Sequence, residues 1–170
     1  MSNILIFGNS GSGKSTLASN ICKSQGLAHL DLDSLAWEAT TPPQRKNLNT
    51  SKKEIVNFIN QNKCWVIEGC YTDLLELVES YSDEIIFMNL PIDECITNAK
   101  SRPWEPHKYE SKQAQDKNLD MLIDWISQYT KRNDTFSMLA HQNFYNNFSG
   151  KKRIIKSNVK YIQQSSGTEK

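Results

Sequence analysis

A chain of 170 residues is long enough for one domain that buries well over half of the surface its unfolded form exposes, so a second domain is not required. Hydrophobic residues at 38% and charged residues at 23% are ordinary for a globular chain, and no apolar run approaches the roughly 18 residues of a membrane span. Net charge is +1 but unevenly spread, with 7 Lys/Arg against 12 Asp/Glu in residues 1–99 and 13 against 7 in residues 100–170; the basic half suits a nucleic-acid surface, a solvated helical face or a lid that closes on phosphate.

In chain order, residues 4–7 (Ile-Leu-Ile-Phe) form a continuous apolar run that stops at Gly8, the pattern of a strand buried on both faces of a parallel sheet. No basic, small-residue-terminated leader precedes it, so export is not expected. From Lys14 the pattern turns helical, with Leu17, Ala18, Ile21 and Cys22 on one face and Gly26 as the stop. Residues 27–32 read as a second strand, 40–49 with Pro42-Pro43 as a loop, and 51–62 as a helix carrying Ile55, Phe58 and Ile59. A third strand over 64–67 should stop at Glu68-Gly69, followed by a helix over 73–81, a fourth strand over 84–90 closed by Pro91, and a helix over 92–100. Leu119, Leu122, Ile123 and Ile126 mark a further helix, broken near 130–134 and resumed over 138–148. Ser149-Gly150 turns into a fifth strand at 153–155, and a last short helix is expected to run to Gln164. Cys22, Cys64, Cys70 and Cys95 show no CxxC pairing or clustered histidine, so they read as reduced cytosolic thiols used mostly as core filler.

Strands alternating with helices imply an α/β fold, a five-stranded parallel sheet with helices on both faces and its site at the carboxyl ends of the strands. The segment Gly8-Asn9-Ser10-Gly11-Ser12-Gly13-Lys14-Ser15 matches G-x-x-x-x-G-K-[ST] between the first strand and the first helix. Glycines there let successive N–H groups face phosphate oxygens, and the helix start adds its positive end. Residues 8–16, Thr16 included, are thus expected to bind ATP, with Lys14 reaching the β- and γ-phosphates and Ser15 giving a hydroxyl to Mg²⁺. The alternative is a glycine turn before an ordinary helix.

Asp31-Leu32-Asp33 ends the second strand, where alternation should put both carboxylates on one side, able to hold Mg²⁺ waters or take a proton from an acceptor hydroxyl. Asp33 or Ser34 capping a helix from Leu35 is the bland alternative. Glu68, at the end of a buried strand, is placed to order Mg²⁺, and Gly69 to let backbone approach a ligand. Metal contacts therefore fall to Ser15, Asp33 and Glu68, and acceptor contacts to Asp31, Asp33, Arg45 and Gly69. Arg102, before the Pro103-Trp104-Glu105-Pro106-His107-Lys108 loop, and Arg132, in the break after Tyr129, would close over the γ-phosphate, each against the default of a solvated arginine. Arg153 reads as a strand flank. His107 and His141 lack metal-ligand spacing, and His29 reads as packed beside its strand. Trp104 and Tyr109 suit base stacking or lid packing equally.

With these residues in place, the chain resembles the small P-loop kinases related to adenylate kinase and shikimate kinase. Leu30-Asp31 with Trp37, and Trp65-Val66-Ile67-Glu68-Gly69 with Tyr71, are similar to the adenylate-kinase-like bacterial group often labelled DNA topology modulation proteins. The resemblance spans nearly the whole chain and implies one three-layer α/β/α P-loop NTPase domain over 1–170, with a helical lid at about 101–133. It also implies a kinase moving the γ-phosphoryl of ATP to a small acceptor, with Lys14, Asp33, Glu68, Arg102 and Arg132 catalytic. Asp31-Leu32-Asp33 resembles the Asp-x-Asp of shikimate kinases, Glu68-Gly69 the Asp-Gly of adenylate kinases, and Arg132-Asn133-Asp134 their Arg-x-Asp. Two departures stand out: Cys70-Tyr71-Thr72 replaces the Phe-Pro-Arg that holds a nucleoside monophosphate, and the glycine triplet of shikimate kinases is absent. The expected partners are a nucleoside triphosphate and a small-molecule acceptor, with no nucleic acid or membrane, in a monomer or homodimer. The alternative is a nucleotide-dependent regulatory ATPase or switch protein, acting with nucleic acid.

Overall fold

The computed structural model describes residues 2–158. The five strands are β1 (Asn3–Gly8), β2 (Ala28–Asp31), β3 (Trp65–Gly69), β4 (Glu84–Met88) and β5 (Lys151–Ile155), joined into one all-parallel sheet in the order β2-β3-β1-β4-β5. Six α-helices cover it: α1 (Lys14–Gln25), α2 (Leu48–Gln61), α3 (Thr72–Val78), α4 (Ile92–Ser101), α5 (Lys112–Ser127) and α6 (Met138–Asn147). β1 is central because it is apolar on both faces, and each residue from Ile4 to Gly8 is buried.

Side chains alternate along a strand, so each strand feeds two cores. Leu5, Phe7, Trp65, Ile67, Ile85 and Phe87 face one way and meet Ile55 of α2, Leu74 and Leu75 of α3 and Phe144 of α6. Ile4, Ile6, Val66, Ile86 and Met88 face the other and meet Leu17 and Ile21 of α1, Cys95 and Ala99 of α4 and Ile126 of α5. Helices thus lie on both faces, consistent with three α/β/α layers. Phe7 and Phe87 stack at 5.0 Å between ring centroids where β1 and β4 run side by side. No helix among the described residues is long and apolar enough to cross a membrane.

Caps move several expected boundaries. The Asn47 side chain accepts from the Asn49 amide, so α2 starts at Leu48, earlier than residue 51; Ser51 then lies inside the helix and donates its hydroxyl to the Leu35 carbonyl. β3 runs through Glu68 and Gly69, which pair with Ile6 and Phe7 of β1, so the ladder continues past the expected stop. β2 ends at Asp31, where the carboxylate takes the Asp33 amide (2.9 Å) and caps a 3₁₀ turn over Leu32–Ser34. That turn corrects two expectations: Asp33 does not continue the strand alternation, and no helix starts at Leu35. The helix expected over 73–81 is α3 followed by a 3₁₀ turn, Glu79–Tyr81, and β4 ends at Met88. β5 begins at Lys151, two residues before the expected start at Arg153, because as an edge strand it exposes Lys151, Lys152 and Arg153. The short helix expected to reach Gln164 lies outside the described residues.

Candidate functional site

The loops at the carboxyl ends of β1, β2 and β3 meet the end of α4 and residues 102–108 of its connection to α5 around one cleft of about 470 Å³. Its floor is the segment between β1 and α1. Gly11 has φ 77°, and a Cβ there would sit 2.3 Å from the Cys95 carbonyl oxygen of α4; Gly13 caps α1 with φ 88°. Asn98 of α4 donates to the Gly11 carbonyl (2.8 Å), and the buried Asn9 side chain donates to the Ile126 carbonyl (3.2 Å), so the loop is held from two helices. No side chain caps α1 at Gly13. The amides of its first turn, which have no intrahelical partner in any α-helix, add to the positive end of the helix.

Of the residues expected to bind phosphate, Ser10, Gly11, Gly13, Lys14, Ser15 and Thr16 line the cleft. Gly8, Asn9 and Ser12 stand behind it: Gly8 packs on Met88, Asn9 ties the loop to α5, and Ser12 is fully buried. The Lys14 ammonium donates to the Asn9 carbonyl (2.8 Å) across the loop mouth. Ser15 donates its hydroxyl to Glu68 Oε1 (2.6 Å), and Glu68 is nearly fully buried. His29, expected only to pack beside its strand, brings Nε2 to 3.4 Å from the same oxygen. Among the described residues no three His, Cys, Asp or Glu side chains group as a metal cage. The hydroxyl and carboxylate oxygens of Ser15 and Glu68 are nevertheless the hard donors suited to a Mg²⁺ that takes its other positions from phosphate and water.

Beyond Glu68 the cleft is acidic. Asp33 lines it, and the ammonium of Lys108 bridges Asp33 Oδ2 (2.9 Å) and Asp31 Oδ2 (3.5 Å), with Glu105 at 4.0 Å. The expected pairing of the two aspartates is thus achieved across the 3₁₀ turn by a shared cation. Trp37 donates its indole N–H to the Tyr71 hydroxyl (2.8 Å), which donates to Asp33 Oδ1. Burial, and the neighbouring charges of Glu68 and Asp33, lift the Asp31 carboxyl to about 6 against the pull of Lys108. Burial also pushes Asp33 upward, but the charge of Lys108 and the Tyr71 hydrogen bond outweigh it and hold Asp33 below the ordinary carboxylate range. Lys108 in turn is held above the usual lysine range, its burial outweighed by Asp33 and Asp31.

The arginines divide. Arg102 lines the cleft and pairs with Glu105 at 3.5 Å. Arg132 lies elsewhere, its guanidinium 3.5 Å above the Trp125 ring with Nη2 donating to the Trp125 carbonyl. Arg45 grips both oxygens of Asp73 (3.1 and 3.2 Å) and lies over the rings of Trp37, Tyr71 and Phe136, away from the cleft lining. Gly69 lines the cleft, but the close approach it permits is to protein: a Cβ there would lie 2.9 Å from Leu32 Cβ. Arg153 pairs with Glu84 at the sheet edge (3.4 Å).

Sequence reasoning did not single out Lys108, Tyr71, Trp37 or Asn98 as site residues. Lys108 and Tyr71 are brought to Asp33 from 75 and 38 positions away, a juxtaposition without a local motif. All four cysteines are free; burial pushes the thiols of Cys70 to about 12 and Cys95 to about 11, so neither is a thiolate nucleophile at neutral pH.

Comparison with known proteins finds no matching family model. The chain is 27% identical over 132 residues, 75% of its own length and 72% of the other, to the uncharacterized protein YqaC of Bacillus subtilis (strain 168). Among solved structures, an uncharacterized protein from Eubacterium ventriosum ATCC 27560 covers 98% of this chain and 96% of its own at 15% identity and a TM-score of 0.48. That likeness is too loose to bear on fold or function.

Proposed function

We propose that the protein is an ATP-binding phosphotransferase of the P-loop kinase type, which moves the γ-phosphoryl of ATP to a small acceptor bound on the Asp33 side of the cleft. The observation that carries this reading is the Ser15 hydroxyl on Glu68 Oε1 at 2.6 Å, beside Lys14 and a glycine loop that opens a helix. This grouping matches what phosphoryl transfer needs: backbone N–H groups and an ammonium for phosphate charge, and hard oxygens for a divalent ion. The amides of residues 13–16 would hold the β- and γ-phosphates, and Lys14 would exchange the Asn9 carbonyl for a phosphate oxygen. Mg²⁺, held by Ser15 and through water by Glu68, would neutralise charge between the two phosphates. Asp33, kept ionised by Lys108 and Tyr71, would orient the acceptor, and Arg102 at the cleft rim would cover the transferring group.

The test is calorimetry of the purified chain with MgATP, together with ADP release. Lys14→Ala should keep the thermal midpoint, because its only described polar contact is one loop carbonyl, while turnover falls at least about 100-fold. A chain that gives no heat with any magnesium nucleoside triphosphate would overturn the proposal.

A further inference from the structure

The cleft has a phosphate-attracting side and a side that repels anions. On the second, Asp33 lines the wall, and Asp31 stands beside it. Among the described residues, the cations around this wall each have an acidic partner. Arg45 donates from Nη2 to both oxygens of Asp73 and is boxed by three aromatic rings, Arg102 pairs with Glu105, and Lys108 is shared by Asp33, Asp31 and Glu105. Among the described lysines and arginines of the lining, only Lys14 remains, and it belongs to the phosphate loop. Lys108 itself demonstrates what this wall receives, since its ammonium comes to 2.9 Å from Asp33 as a hydrogen-bond donor.

We propose that the phosphoryl acceptor carries no phosphate or carboxylate, and that its hydroxyl or ammonium donors bind Asp33 and Asp31 in place of Lys108. The proposal rests on the kinase reading above and names the class of substrate for that site. In the step it implies, the acceptor hydroxyl oxygen bonds to the γ-phosphorus, and the bond from γ-phosphorus to the bridging oxygen breaks with its electron pair leaving on ADP. The hydroxyl proton passes to the Asp33 carboxylate, and the products are ADP and a phosphomonoester. An acceptor bearing its own anion would have to draw Lys108 away from Asp33, Asp31 and Glu105 while meeting the charge of both aspartates, and rejection by like charge is a route to specificity.

The experiment uses the full chain saturated with a magnesium complex of a non-hydrolysable ATP analogue, titrated in a calorimeter with matched pairs. These are adenosine against AMP, glucose against glucose 6-phosphate, glycerol against glycerate, and ethanolamine against its phosphate ester. ADP release with MgATP is followed for the same compounds, and the ethanolamine arm separates an ammonium requirement from a hydroxyl one. The expected result is that at least one non-anionic member binds and stimulates ADP release, and that its anionic partner binds at least about 10-fold more weakly. In the Asp33→Asn chain, which keeps the shape but not the charge, that preference should shrink toward parity. Equal or tighter binding of the anionic members overturns the proposal, as does a panel in which neither class binds. Loss of the MgATP heat itself would instead remove the kinase reading beneath it, so the two failures are distinguishable.

Discussion

Ser12 in the loop and Ser15 in the first turn of α1 lie three positions apart and meet opposite fates. Ser15 Oγ bonds a buried carboxylate, whereas Ser12 Oγ is buried without a hydrogen-bond partner among the described residues. A buried hydroxyl with no partner contributes a desolvation cost and no bond. Ser12→Ala should therefore leave the urea midpoint unchanged or raise it, while Ser15→Ala strips Glu68 of its donor and weakens magnesium-dependent nucleotide binding in calorimetry. Tyr71 belongs to the same scale. Its hydroxyl helps hold Asp33 below the ordinary carboxylate range, so Tyr71→Phe should move the acid limb of the pH–rate profile to higher pH. A hydrogen bond to a charged group contributes about 1.5–3 kcal/mol, so turnover should fall on the order of 10-fold or more.

Among the elements, the loop between β1 and α1 depends on backbone that only glycine adopts without strain. Gly11 and Gly26 both have positive φ, 77° and 67°, but their surroundings differ. A Cβ at Gly11 meets the Cys95 carbonyl at 2.3 Å, while one at Gly26 has nothing within 4 Å. Gly26→Ala should therefore cost about 1 kcal/mol, the left-handed penalty alone. Gly11→Ala should cost more, because α4 or the loop must also shift; denaturant midpoints of the two variants measure the difference. Most elements were legible in the sequence for a plain reason. The apolar runs at residues 4–7 and 64–67 and the periodic helices report burial directly. What was not legible were the ends, since the cap by Asn47 and the turn capped by Asp31 are single hydrogen bonds that composition does not announce.

At the scale of the whole molecule, a buried chain of hydrogen bonds ties α6 to the end of β3. Tyr129 donates to His141 Nδ1 (2.6 Å), and His141 Nε2–H donates to the Cys70 carbonyl (2.9 Å), since a carbonyl can only accept. Burial lowers the His141 pKa to about 4, so the folded protein keeps the ring neutral while the unfolded chain binds a proton below about 6.5. This contribution to stability is present above pH 6.5 and is lost as pH falls toward 4, a change on the order of 3 kcal/mol. Asp31 acts in the other direction: its folded pKa is raised to about 6, so its contribution is lost as pH rises from about 4 through 6. Comparing the chain with His141→Gln isolates the histidine. The difference in urea midpoint between them should narrow steadily from pH 7 to pH 4, and a constant difference would contradict the neutral buried ring.

The sequence by itself determined the α/β class, the five parallel strands and the glycine loop with Lys14 and Ser15, because each is written in contiguous residues whose burial or backbone freedom has a period or a spacing. Tertiary structure alone decided how the charges are matched. Arg45 spends its guanidinium on Asp73 and three aromatic rings, Arg132 lies on Trp125, and Lys108 arrives at Asp31 and Asp33 from a distant loop. Charge pairing depends on distances of a few ångströms between segments far apart in the chain, and no local pattern of residues encodes those distances.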